Sequence, residues 1–119
     1  MKNFKELIIW QRGIEIVKKV YDLTKQFPSQ EKFGIISQMT RAAVSISANI
    51  AEGSSRNSDK DYARFLQLTL GSAFELQTYL VIVHEMKWAS TDEVHQIEII
   101  LEEEIKMIHS FIKKLTANS

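Results

Sequence analysis

Apolar residues return along this chain at steps of three and four, the spacing that brings side chains back to one face of an α-helix. Four such stretches predict helices over about 6–26, 33–54, 59–87 and 91–115, and no stretch alternates with the period of a strand. In the first helix Leu7, Trp10, Ile14, Val17 and Tyr21 form one stripe, while Ile9, Ile16, Val20, Leu23 and Phe27 form another. Together they cover about 200° of the circumference, well beyond the single stripe of a surface helix. One stripe serves a core, so Ile9, Ile16, Val20, Leu23 and Phe27 are expected to meet a neighbouring subunit. Phe27-Pro28-Ser29 ends the segment, because the residue before a proline is steered out of the helical region.

The second helix carries two faces. Ile35, Met39, Ala42, Ala43, Ile46 and Ile50 form an apolar stripe, and Gln38, Arg41, Ser45, Asn49, Glu52 and Arg56 form an unbroken polar one. An ordinary outer face is covered with long charged side chains; this one alternates charge with small Ser and Asn, which suits close contact or a specific network. Residues 53–58 read as a turn, with Gly53 a left-handed helix end and Ser58 capping the next helix. Helix three is apolar nearly all round. Leu66, Leu70, Ala73 and Leu80 lie on one side, Leu68, Tyr79, Ile82 and Met86 on the far side, and a narrow strip through Lys60, Arg64, Gln67, Gly71, Thr78 and Glu85 is wet. Gly71 weakens the helix relative to alanine unless another backbone approaches closely. Ser90 and Glu93 have the spacing of a capping box, and helix four then turns Val94, Ile97, Leu101, Ile105, Ile108, Ile112 and Leu115 inward. Short connections make neighbouring helices antiparallel. The expected fold is a single all-α domain over 1–119, an up-down-up-down four-helix bundle that self-associates.

Composition narrows the chemistry. A chain of 119 residues is long enough for one core. It has no cysteine, which removes disulfides and thiolate metal sites. The apolar run near the start, Leu7 to Trp10, is too short for a signal peptide, and no segment is expected to span a membrane, so a cytoplasmic location is expected. The net charge of zero is unevenly placed, with eleven basic and seven acidic residues over 1–64 and four basic and eight acidic over 65–119. A dedicated nucleic-acid binder carries a stronger basic excess.

Three constellations are candidates for function. If helices two and three form a hairpin, Arg41 reaches the level of Glu75, and a buried Arg41–Glu75 pair with Gln38, Ser45, Asn49, Glu52 and Ser72 would make a structural polar network. Arg56, Lys60 and Arg64 recur every four residues, a row that can track phosphates, whereas Lys5, Arg12 and Lys19 are diluted by acidic neighbours and read as a solvated face. Asp92, His95, Glu98 and Glu102 share a helical face, but a di-iron bundle needs Glu-x-x-His on two inward helices, so no metal and no cofactor are expected. His84 falls toward the core and His109 outward. No glycine-rich phosphate loop, zinc-protease motif or nucleophile elbow is present, and no catalytic residue is assigned.

A set of residues spread over most of the chain carries a family resemblance: Leu7, Trp10-Gln11, Tyr21, Thr24, Phe27-Pro28, Phe33-Gly34, Gln38, Arg41-Ala42-Ala43, Ser45-Ile46, Asn49-Ile50-Ala51-Glu52-Gly53, Phe65-Leu66, Gly71-Ser72, Glu75-Leu76 and Leu80. With these the chain resembles the bacterial four-helix-bundle proteins encoded in intervening sequences of 23S rRNA genes, and the related accessory variability determinant proteins of diversity-generating retroelements. It departs from them at Ser47, where the family usually has proline. The resemblance implies a closed cyclic pentamer, and for the basic row it implies RNA, because the retroelement relatives act with RNA and a reverse transcriptase. The expected function is a non-enzymatic oligomeric accessory protein that meets RNA or an RNA-handling protein through a basic surface. The alternative is a protein-interaction scaffold that binds no nucleic acid.

Overall fold

The structure is a computed structural model and describes residues 3–117. Four helices make up the fold: α1 Ile8–Thr24, α2 Ser37–Ser54, α3 Asp59–Met86 and α4 Thr91–Thr116, with no strand among the described residues. Each packs against two others, α1 on α2 and α4, α3 on α2 and α4, giving an elongated body of 47 × 21 × 20 Å around one core. Arg12 meets Glu103 and Gln26 meets Glu93 across α1 and α4, while Ser45 meets Ser72 across α2 and α3.

Helix ends follow local chemistry. Phe4–Glu6 forms a 3-10 turn capped by the Asn3 side chain, so α1 proper begins later than its apolar pattern. After Pro28 the chain makes a 3-10 turn, Ser29–Glu31, and a π-helical turn, Lys32–Ile36, in which Gly34 leaves helical geometry at φ −100°, ψ −110°. Ser58 accepts from the Asp61 N–H at 3.1 Å and Ser90 from the Glu93 N–H at 3.2 Å, both caps as expected. Glu93 does not complete a capping box among the described hydrogen bonds. Its carboxylate accepts from Gln26 Nε2 at 2.6 Å, and Gln26 Oε1 accepts the Ser90 N–H, tying the end of α1 to the start of α4. The Phe27 and Trp88 rings, 5.8 Å apart, close the same end.

One glycine behaves differently from expectation. Gly53 is not a left-handed terminus. It lies buried inside α2, where a Cβ would stand 2.9 Å from both Phe65 Cβ and Tyr62 Cδ1. The one left-handed residue among those described is Lys87 (φ 58°), which closes α3 with its N–H on the His84 carbonyl while the Trp88 N–H reaches Val83.

The face of α1 is the main correction. Ile9, Ile16, Val20, Leu23 and Phe27, expected to meet a neighbouring subunit, are buried in the protomer's own core. Leu7, Trp10, Ile14 and Val17 are only half-buried and Tyr21 is exposed. The reason is Gly13. It fills the gap in the stripe, so that residues 9, 13, 16, 20, 23 and 27 make an unbroken seam with steps of four and three, all six buried. A side chain is missing there because Ser47 Oγ from α2 occupies the space, 2.1 Å from where a Cβ would be. The seam looked incomplete in sequence because glycine does not register as apolar.

Candidate interaction surfaces

Between α2 and α3 the expected polar network divides into a joined centre and a loose rim. Ser45 and Ser72 hydroxyls hydrogen-bond at 2.8 Å, Asn49 Nδ2 donates to both the hydroxyl and the carbonyl of Ser45, and buried Thr69 donates to the Ile46 carbonyl. These bonds fix the register of the two helices. Arg41 and Glu75 do not form the expected buried pair: both are exposed, and no ion pair among the described residues joins them. Arg41 donates to Gln38 on its own helix at 2.8 Å, and Glu75 accepts from the Tyr79 hydroxyl at 2.8 Å. That hydrogen bond to Glu75, with a smaller desolvation effect, raises the Tyr79 pKa, while Arg41 pulls the other way. Gln38, Arg41, Ser45, Ser72 and Glu75 line one open cavity of about 230 Å³. Glu52, at the far end, pairs with Arg56 at 3.5 Å. Exposure explains the separation: charges that keep their water gain little from an ion pair held by two long side chains.

The basic row lies at the α2–α3 turn. Arg56 and Arg64 lay their guanidinium groups against the ring of Phe65, 4.4 and 4.8 Å from its centre. Each also has a carboxylate on its own stretch, Glu52 for Arg56 and Asp61 for Arg64. Lys60 is exposed and enters no ion pair among the described residues. Two of the three charges are thus balanced locally.

The outer side of α3 is apolar. Leu68, Ser72, Glu75, Tyr79, Ile82 and Met86 follow one another at steps of four and three, a second seam along the α2 side of α3 in which Ser72 and Tyr79 are half-buried and the other four are exposed. Leu68, Ile82 and Met86 remain 48%, 39% and 55% exposed. Gly71 stands beside this seam with nothing within 4 Å of the position its Cβ would take, so the protomer supplies no close approach to offset its weakening of the helix. Contrary to the expectation that no segment could span a membrane, α3 is long and apolar enough to do so by length and composition; its qualifying window has a mean hydropathy of 1.2 and is 39% buried. Both facts follow from a helix that carries two apolar stripes where the core uses one.

His84 is exposed rather than directed to the core, and with Val81, Thr91, His95 and Glu98 it lines a cavity of about 270 Å³ between α3 and α4. His95 Nδ1 lies 3.9 Å from Glu98. No group of three or more ionisable ligands among the described residues is placed to hold a metal ion.

Sequence inspection missed Glu104. It is fully buried, neither carboxyl oxygen has a hydrogen-bond partner among the described residues, and burial pushes its pKa up to about 8 against the pull of Arg12. The signal was present: residues 97, 101, 104, 108, 111 and 115 step by four and three, with the glutamate inside an otherwise apolar seam.

A family model described as 23S rRNA-intervening sequence protein matches residues 5–110. The crystal structure of a protein of unknown function from the S23 ribosomal protein family of Bacteroides thetaiotaomicron VPI-5482 superposes with a TM-score of 0.82 at 24% identity, over 89% of this chain and 99% of that one. At that identity the likeness carries the fold. No curated protein matches the chain.

Proposed function

The chain belongs to the 23S rRNA-intervening sequence protein family, and from that premise we propose that it acts by association rather than catalysis, as an up-down-up-down four-helix bundle whose copies join through the outer seam of α3 and the adjoining face of α2. The observation that carries this is the run Leu68, Ser72, Glu75, Tyr79, Ile82 and Met86, in which Leu68, Glu75, Ile82 and Met86 are exposed. Steps of four and three over nineteen residues match what a second helix needs for knobs-into-holes packing. Three further features favour another copy of this chain as the occupant. Arg41 on α2 and Glu75 on α3 carry opposite charges that form no ion pair among the described residues, so the α3 seam of one copy can meet the α2 face of the next head-to-tail. Gly71 leaves bare backbone where a partner helix can approach. Ser72 and Glu75 interrupt the seam with polar groups that suit a protein surface better than lipid. A closed ring is the assembly in which such an interface satisfies every copy, and five is the number the retroelement and intervening-sequence resemblance implies.

The experiment is to place charge on the seam. Leu68→Glu and Ile82→Glu, each at an exposed position, should reduce the sedimenting species to the protomer and leave the far-ultraviolet helical signal unchanged. Assemblies that survive both substitutions would sink this interface.

RNA contact at the α2–α3 turn is the second reading, favoured by two guanidinium groups set on the Phe65 ring and by exposed Lys60, which enters no ion pair among the described residues. Phosphate binding releases counterions, so it should weaken steeply with salt and vanish in an Arg56→Gln, Lys60→Gln, Arg64→Gln variant. Binding that ignores either change would leave the protein scaffold as the whole function.

A further inference from the structure

The outward stripe of α2 carries the spacing of the α3 seam in reverse. Ser37, Arg41, Val44, Ala48 and Glu52 are all exposed and follow at steps of four, three, four and four. The seam, taken from one turn before Leu68, runs Arg64, Leu68, Ser72, Glu75 and Tyr79 at steps of four, four, three and four. Laid antiparallel, the two lines match position for position, from Glu52 on Arg64 to Ser37 on Tyr79. Ala48 then meets Leu68, so that small side chains on α2 stand opposite large ones on α3, as close helix packing requires. Phe33 is 89% exposed on the turn ahead of α2, and its place beyond Ser37 brings it toward Ile82 and Met86, which are themselves open to water.

Charge decides the direction. Arg41 and Glu52 stand eleven residues apart on α2, and Arg64 and Glu75 stand eleven apart on α3, in each case about three turns or about 16 Å. Antiparallel contact sets each arginine on a glutamate. Parallel contact between the same positions sets arginine on arginine and glutamate on glutamate. Arg41 and Glu75 enter no ion pair among the described residues. Glu52 and Arg64 hold exposed partners on their own stretch, Arg56 at 3.5 Å and Asp61 at 3.1 Å, and pairs of that kind contribute little. The protomer already holds the same register. Ser45 is level with Ser72, Ile46 with Thr69 and Gly53 with Phe65, so Arg41 and Glu75 lie at one height. Rotation about an axis along the bundle leaves every height unchanged. Such symmetry delivers Arg41 of one copy to Glu75 of the next without sliding.

We propose that α2 of one copy docks antiparallel on the α3 seam of the next, with Arg41 on Glu75, Glu52 on Arg64 and Phe33 against Ile82 and Met86, so that all copies point the same way. This rests on the association through the seam proposed above, and adds to it the partner segment, its register and its direction. Apolar contact attracts in either direction; the two charge pairs reject the reversed one.

The experiment reverses single charges in the full chain and reads its mass by sedimentation at low salt, where the pairs are least screened. Arg41→Glu and Glu75→Arg, each alone, should raise the concentration needed for assembly at least about tenfold, because like charges then meet across the contact. Both positions are exposed, so the helical signal should stay unchanged. The chain with both reversals should assemble as the unsubstituted chain does. A mixture of the two singly reversed chains should form assemblies that neither forms alone, which only a contact between copies produces. Direction is read separately by cysteine pairs, since the chain has no cysteine of its own. Ala48→Cys chains mixed with Leu68→Cys chains should be joined by oxidation, whereas Ser37→Cys with Lys60→Cys, neighbours only in the reversed contact, should not. Joining of that second pair would overturn the direction. Assembly that ignores both charge reversals, yet is dispersed by Leu68→Glu and Ile82→Glu, would overturn the register and leave the seam in use. A chain that never assembles would remove both.

Discussion

Glu104 is the residue whose surroundings most oppose its chemistry, and its cost depends on pH. Its pKa is about 8 in the folded chain against an ordinary value of 4.5. Between those values the folded protein holds a proton that the unfolded chain has lost. The stability linked to Glu104 is therefore fully present below about pH 4.5, declines as pH rises, and is gone above about 8. Glu104→Gln removes the titration. From pH 4.5 to pH 7 the variant should gain about 3 kcal/mol relative to the unsubstituted protein, read from denaturant unfolding at both values. Parallel stability profiles for the two proteins would contradict a neutral buried acid. At this scale the sequence was half legible. The hydrophobic seams could be counted, but Gly13 and Glu104 occupy seam positions without being hydrophobic, and each took its meaning only from the other and from Ser47.

Among the elements, existence and order followed from periodicity, while rotation did not. All four helices occur close to their expected limits, because apolar spacing, Ser58, Ser90 and Pro28 act locally. Which of the two stripes of α1 turns inward is decided between helices, by the fit of Gly13 against Ser47, and periodicity alone carries no information on that choice. The polar face of α2 failed in the same way. Its spacing correctly put Ser45 opposite Ser72, yet whether Arg41 and Glu75 pair depends on their exposure to water, which spacing does not encode. The end of α3 gives a direct test of local chemistry. Lys87 adopts a left-handed conformation that an L side chain disfavours, so Lys87→Gly should stabilise the fold by about 1 kcal/mol, seen as a higher unfolding midpoint. An unchanged or lower midpoint would mean that the lysine side chain stabilises the α3–α4 turn by as much as its backbone costs.

For the whole molecule, the surface expected to drive self-association is not the one left exposed. The wide apolar arc of α1 is consumed by the protomer's own core, whereas α3 retains an outward seam with Leu68, Ile82 and Met86 open to water. That seam, rather than the row of Arg56, Lys60 and Arg64, two of whose charges are balanced locally, is the feature most in need of a partner. The charge balance points the same way: a chain of zero net charge is better matched to protein than to phosphate. Solution mass by light scattering, across protein concentration and at low and high salt, tests this most directly. A closed multiple of the protomer mass that persists at high salt is the predicted result, since apolar packing is not screened. A protomer at every concentration would contradict the association on which the proposed function rests.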